Sequence, residues 1–235
     1  MLAAGSADLA CSSNPLPFRP SGEFWYLSQS DRLTIDGVED DKGWLQTVDA
    51  LTSFGVDELT RLDIMRILSG ILHLGSLQFE DVENDVGSDA STLCDDARSQ
   101  EAAQLVGELW GVDTEAFVRS LTTRSVTSRR RSAYEVGMTA AKATINRDAT
   151  AKAVYHEVFE FLVRRMNAQL VASGSPSVQP RHSRWIGLLD AFGFELLQSN
   201  SLEQLLINAT NEVLQQFFLS SVSYTHLTLP TICSV

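Results

Sequence analysis

The sequence predicts a mainly α-helical fold with a few short strands. Apolar residues recur at helical spacing in six separated stretches, and Asp, Asn or Ser stands at the start of several of them. Runs suited to strands are short, at 77–79 and 185–189.

Taken in order, residues 1–23 are weakly patterned, and Pro15, Pro17 and Pro20 break any helix there. Trp44, Val48 and Leu51 then follow i, i+4, i+7 spacing and predict the first helix. Asp57 can cap a second helix whose face carries Leu62, Met65, Leu68 (or Ile67) and Leu72, with Gly75 as its stop. Leu77 and Phe79 fit a short strand. The stretches 99–110 and 113–121 read as two short helices, the second capped by Asp113. Residues 122–138, rich in Ser, Thr and Arg, suit an exposed hairpin or loop better than a helix.

A long helix is predicted from about Thr139 to Ala172. Its stripe of Tyr155, Val158, Phe159, Leu162, Met166 and Leu170 is expected to pack into the core. Residues 173–184 form a surface connection, 185–189 a strand, and a last helix starts near Asn200. There N-S-L-E and S-L-E-Q both offer a capping box, and Leu202, Leu205, Ala209, Val213 and Phe217 share one face.

Composition narrows the function classes. The formal net charge of −12 argues against a general nucleic-acid-binding surface. Much of that charge lies in 80–101, which reads as a solvated acidic loop. Cys11, Cys94 and Cys233 are scattered, without metal-ligand spacing or a disulfide framework, as expected of an intracellular protein. His73 reads as a packed helix histidine. No apolar run approaches the ~20 residues of a membrane span, so no membrane-spanning segment is expected.

The stretch WIGLLDAFGFE (185–195) carries the chemistry. An apolar strand ending in D-x-x-G suits the second half of a nucleoside-triphosphatase site. An Asp at the strand end can hold Mg2+, and a Gly three residues on lets the backbone approach the γ-phosphate. A buried strand followed by a turn is the plainer reading of the same residues. The first half of such a site, G-x-x-x-x-G-K-[ST], is absent, and Gly-Lys occurs nowhere in the chain.

The run LLDAFGFELLQSNSLEQLLINATNEVLQQFF (188–218) closely resembles the myosin motor domain, where a strand and its D-x-x-G-F-E loop, switch II, lead into the relay helix. YLSQS (26–30), ILHLGSLQF (71–79), LTTRSV (121–126) and RDATAKAVYHEVFEFLVRRMN (147–167) resemble further segments of that family, in the family's order. The resemblance implies a piece of an α/β, P-loop NTPase-type motor. That piece comprises the upper part of its actin-binding region, switch II and the start of the relay helix, over 1–220.

Roles follow by resemblance. Gly193 would donate its amide to the γ-phosphate, and Asp190 would hold Mg2+ through water. Glu195 would pair with a switch I arginine and help close the site around the lytic water; Glu195 and Gly193 are thus the catalytic candidates. Asn200, Glu203, Asn208, Asn211, Glu212, Phe217 and Phe218 match the relay motif. Ala191, Leu202, Leu206 and Ala209 depart from the family's usual Ile, Phe, Cys and Tyr, which reshapes relay packing without touching a polar role. The family's regulatory position, sixteen residues before D-A-T-A-K, falls on Ser132, just after Arg129, Arg130 and Arg131. Basic residues there suit a basophilic kinase, and a phosphate adds about −1.5 to −2 charge to an actin-facing loop.

The implied ligand is ATP with Mg2+ and the implied partner is the actin filament, in the cytoplasmic cytoskeleton. Light chains or calmodulin would join only through a lever outside this chain. The phosphate-binding loop and switch I are expected upstream, and the converter downstream. SVSYTHLTLPT (221–231) resembles a translated sequencing-library transposon end, so 221–235 are expected to be a non-native tail without helical pattern. A non-catalytic actin-binding helical module is the alternative to a motor. A small GTPase-like switch fails for want of a phosphate loop and of N-K-x-D.

Overall fold

The computed structural model describes residues 16–17, 19–29, 33–82, 90–127, 133–172 and 191–227. The chain divides into two units, Met1–Ser175 and Pro176–Val235. Among the described residues no helix is long and apolar enough to cross a membrane.

In the first unit, α1 (Asp40–Ser53) turns its predicted apolar face inward, with Trp44 buried and Val48 and Leu51 packed beside it. A link through Gly55, whose φ of +71° favours glycine, leads to α2 (Glu58–Leu74). Asp57 caps α2 as predicted, accepting the Thr60 amide at 2.8 Å. Strand β1 (Phe79–Asp81) pairs antiparallel with β2 (Ser91–Leu93) in the register Phe79↔Leu93. Leu77 stands outside the strand, fully buried in the core.

Helix α3 (Ala97–Trp110) is capped by Asp96, which accepts the Ser99 amide at 2.9 Å, and ends at Gly111 in the left-handed conformation. Helix α4 (Thr114–Thr122) is capped by Asp113 as predicted. Strand β3 (Thr123–Thr127) pairs antiparallel with β4 (Ala133–Gly137). The 33-residue helix α5 (Ala140–Ala172) matches its predicted span within a residue.

Two apolar clusters hold these elements. One joins Leu74, Leu77, Leu93, Ala102, Ala103, Val106, Leu121 and Ala151 across α2, β2, α3, α4 and α5. The other joins Leu16, Trp44, Val56, Ile64 and Met65, with Val158 and Leu162 of α5 packed against it. Helices α2 and α3 approach closely because Gly70 faces Trp110: a Cβ there would stand 2.1 Å from the indole Nε1. That nitrogen donates to the Ile67 carbonyl at 3.2 Å.

Three expectations change. Gly75 does end α2, but in right-handed conformation (φ −59°). Glycine is required there because the Tyr26 ring occupies the space, 2.8 Å from where a Cβ would be. The expected core stripe of α5 is only partly covered: Val158 and Leu162 pack, whereas Tyr155, Phe159 and Leu170 are exposed. In the second unit α6 (Leu202–Leu227) continues through 221–227, where the sequence predicts a tail without helical pattern. No Gly or Pro interrupts 202–229, and Pro230 is the first breaker, so helix propagation has no local stop.

Candidate functional site

The second unit is built around the start of α6. Of the two capping boxes, S-L-E-Q forms: Ser201 Oγ accepts the Glu203 amide at 3.2 Å, and Gln204 Oε1 accepts the Ser201 amide at 2.8 Å. Ser201 Oγ also donates to Gln204 Oε1 at 2.7 Å. Asn200 instead closes the preceding turn, accepting the Leu197 amide and donating to the Leu197 carbonyl, each at 2.9 Å.

Asn208, two turns into the helix, reaches back to Glu195. Its Oδ1 accepts the Glu195 amide at 2.7 Å, and its Nδ2 donates to the Glu195 carbonyl at 2.8 Å. A side-chain amide thus satisfies both backbone groups of one loop residue, as a neighbouring strand would. The carboxylate of Glu195 is held separately, accepting from Gln204 Nε2 at 3.3 Å. The structure therefore brings Glu195, Gln204 and Asn208 together, while Asn200 bonds to Leu197.

The other predicted positions fall around this clamp. Nothing among the described residues stands within 4 Å of where a Cβ would be on Gly193, so its backbone is open to approach. Phe192 and Phe194 are exposed. Glu203 lies in the first turn of α6, Asn211 donates to the Ile207 carbonyl at 3.0 Å, and Glu212 accepts from Gln216 at 3.4 Å. Phe217 and Phe218 are exposed, as are Leu202, Leu205 and Val213 of the predicted apolar face. Asp190 and the strand 185–189 lie outside the described residues, as do Arg129, Arg130, Arg131 and Ser132.

Among the described residues no three His, Cys, Asp or Glu side chains stand together as metal ligands. The loop combines an uncrowded backbone at Gly193 with an anchored acid at Glu195.

A second polar centre lies in the first unit, and no periodicity marks it. Arg147 is buried within α5. It donates through Nη1 to the carbonyls of Gly75 (3.2 Å) and Leu77 (2.7 Å), and through Nε and Nη2 to Asp148 Oδ1 (2.8 and 2.7 Å). The same carboxylate oxygen accepts the Tyr26 hydroxyl at 2.7 Å. Burial, and then the bond to Asp148, raise the Tyr26 phenol's pKa. Three of the motif segments, YLSQS, ILHLGSLQF and RDATAK, meet at this knot. The signal available in the sequence is an adjacent Arg-Asp pair within a helix, since a charge on a packed face needs a partner.

His73 is packed, as predicted. It is buried edge-on to Phe24 at 5.3 Å, with Nε2 bonded to the Pro17 carbonyl at 2.9 Å. Burial lowers its pKa from the usual 6.5. Asp81 of β1 serves the far end of the unit, its Oδ1 accepting the Ala140 amide at 2.6 Å to cap α5.

The first unit is a helical domain, and the second is a loop clamped through Glu195 onto Asn208 of its own helix. The myosin head (motor domain) family model matches residues 4–226, and the chain belongs to that family. It is 38 % identical over 198 residues to Myosin-1 of Coccidioides immitis and, over the same length, 38 % identical to Myosin-1 of Schizosaccharomyces pombe. Each alignment takes in 83 % of this chain and 15 % of the relative. Against Myosin-2 of Saccharomyces cerevisiae it is 32 % identical over 209 residues, 89 % of this chain and 12 % of the relative. The chain thus spans about a seventh of the length of these relatives.

Proposed function

We propose that this chain is the switch II and relay segment of an actin-based motor that couples ATP hydrolysis to force on actin filaments. One observation carries the reading: both backbone groups of Glu195 are bonded to Asn208 of α6. A loop anchored in this way cannot shift without displacing the second turn of the helix.

In the intact motor, bound Mg2+·ATP supplies the γ-phosphate to be transferred and the metal charge that assists it. The Gly193 amide would donate to that phosphate, and Asp190 would hold the metal's water shell. Glu195 pairs with an arginine from switch I and shuts bulk water out of the site. Because the Glu195 backbone is tied to α6, closing and opening of the loop are delivered to the helix. The sequence of the chain carries no G-x-x-x-x-G-K-[ST] phosphate loop, and the chain alone is expected to be inactive. The motor works in the cytoplasmic cytoskeleton. Any light chains or calmodulin bind a lever elsewhere in the protein.

Ser132 is the proposed regulatory position. Its phosphorylation would add negative charge to an actin-facing loop, next in sequence to Arg129, Arg130 and Arg131. A Ser132→Ala motor is expected to lose actin activation and Ser132→Glu to keep it; full activation in the alanine variant would sink this role.

The test of the main reading is Mg2+-dependent ATP turnover by the intact motor carrying this segment, with and without actin filaments. Turnover accelerated by filaments is expected, with none from the 235-residue chain alone. Filament binding without turnover by the intact protein would replace the motor with a non-catalytic actin-binding module.

A further inference from the structure

We infer that Gln204 is the positioning residue for the Glu195 carboxylate, so that the cap of α6 and the aim of the acid are set by one side chain. This rests on the reading of Glu195 given under Proposed function.

The orientation of the Gln204 amide follows from its partners. Oε1 accepts two bonds, from the Ser201 amide at 2.8 Å and the Ser201 hydroxyl at 2.7 Å. An amide oxygen has two lone pairs, so that end is filled. The NH2 end can only donate, and it points at Glu195 Oε2, 3.3 Å away. Asn208 holds the Glu195 backbone from the same helix. Glu195 is therefore fixed at its amide, its carbonyl and one carboxylate oxygen. Its Oε1 is left to accept a guanidinium, which pairs best with a carboxylate already held in plane. Gln204 does not touch the phosphate or the attacking water; it acts through Glu195.

Gln204→Glu separates the two roles. A glutamate at this position still accepts from Ser201, so the capping box survives. It cannot donate to Glu195 and sets a second carboxylate beside the first. Two carboxylates sharing a site push one pKa up. Gln204→Met removes both the cap bond and the donor.

The experiment is ATP turnover and its pH profile in the intact motor carrying Gln204→Glu, Gln204→Met or Glu195→Gln. Gln204→Glu is expected to melt at the wild-type temperature yet lose turnover by about tenfold or more, as a misplaced reacting group does. Its acid limb moves to higher pH. Gln204→Met loses both turnover and melting temperature. If Gln204→Glu turns over within about twofold of wild type with an unmoved pH profile, while Glu195→Gln is inactive, Gln204 is only a cap and the inference is overturned. If Glu195→Gln is itself fully active, the reading of Glu195 fails first, and this inference falls with it.

Discussion

The backbone of Glu195 and the side chain of Asn208 exchange two hydrogen bonds, of 2.7 and 2.8 Å, across thirteen residues. Asn208→Ala leaves both backbone groups to water or to nothing. Losing a partly buried hydrogen bond costs about 1–3 kcal/mol, and about 1.4 kcal/mol is tenfold in rate. Asn208→Ala in the intact motor is expected to slow ATP turnover about tenfold or more on that basis. Helix content by circular dichroism should stay unchanged, because the α6 cap at Ser201 and Gln204 is untouched.

The knot at Arg147 gives a stability prediction. Its side chain is 3 % exposed and that of Asp148 40 %. Arg147→Met abandons the carbonyls of Gly75 and Leu77 and frees a partly buried carboxylate, at a cost of about 3–5 kcal/mol. Tyr26→Phe keeps the ring against Gly75 and removes only the hydroxyl bond, at about 1 kcal/mol. Urea unfolding midpoints should fall in the order wild type, Tyr26→Phe, Arg147→Met.

Gly70 and Trp110 give a paired prediction. A methyl at residue 70 would meet the indole 2.1 Å away, so Gly70→Ala must push α3 outward. Overpacking of this kind costs about 1–3 kcal/mol or more. Trp110→Phe removes the obstructing nitrogen. In a double-mutant cycle by thermal melting, the two changes together should cost less than the sum of each alone.

His73 sets a pH dependence. Its folded pKa lies below 6.5, because burial disfavours the cation. As pH falls, the unfolded chain takes the proton first, so its stabilisation is complete above 6.5 and drains away below it. Asp57, Asp96 and Glu101 also have lowered pKa values, from their bonds to Thr60, Ser99 and Arg19, and their contributions fade only in the more acidic carboxylate range. Melting temperature should drop between about pH 7 and about pH 5.5, and His73→Gln should flatten that slope.

What could be read from the sequence was local. Asp57 and Asp113 were legible as caps because each acts on an amide three residues away. The strand pair of β3 and β4 and the span of α5 were legible from composition and periodicity. The knot was not, since Tyr26 and Asp148 are 122 residues apart and nothing short-range links them. Periodicity also says which face of a helix is apolar but not whether anything covers it, and Phe159 is 52 % exposed for that reason. Among the candidate site residues the D-x-x-G-F-E motif names Glu195 and the relay motif names Asn208, but that one grips the other's backbone depends on how the loop turns between them.

Asp81 caps α5 from a strand 59 residues earlier in the chain. The helix therefore takes its starting point from β1 as well as from Thr139, whose Oγ1 accepts the Lys142 amide at 3.4 Å. The segments that join β1 to β2 and β3 to β4 can lengthen, shorten or gain charge while the origin of a 33-residue rod stays where it is. Surface chemistry can thus change without resetting the phase of the rod.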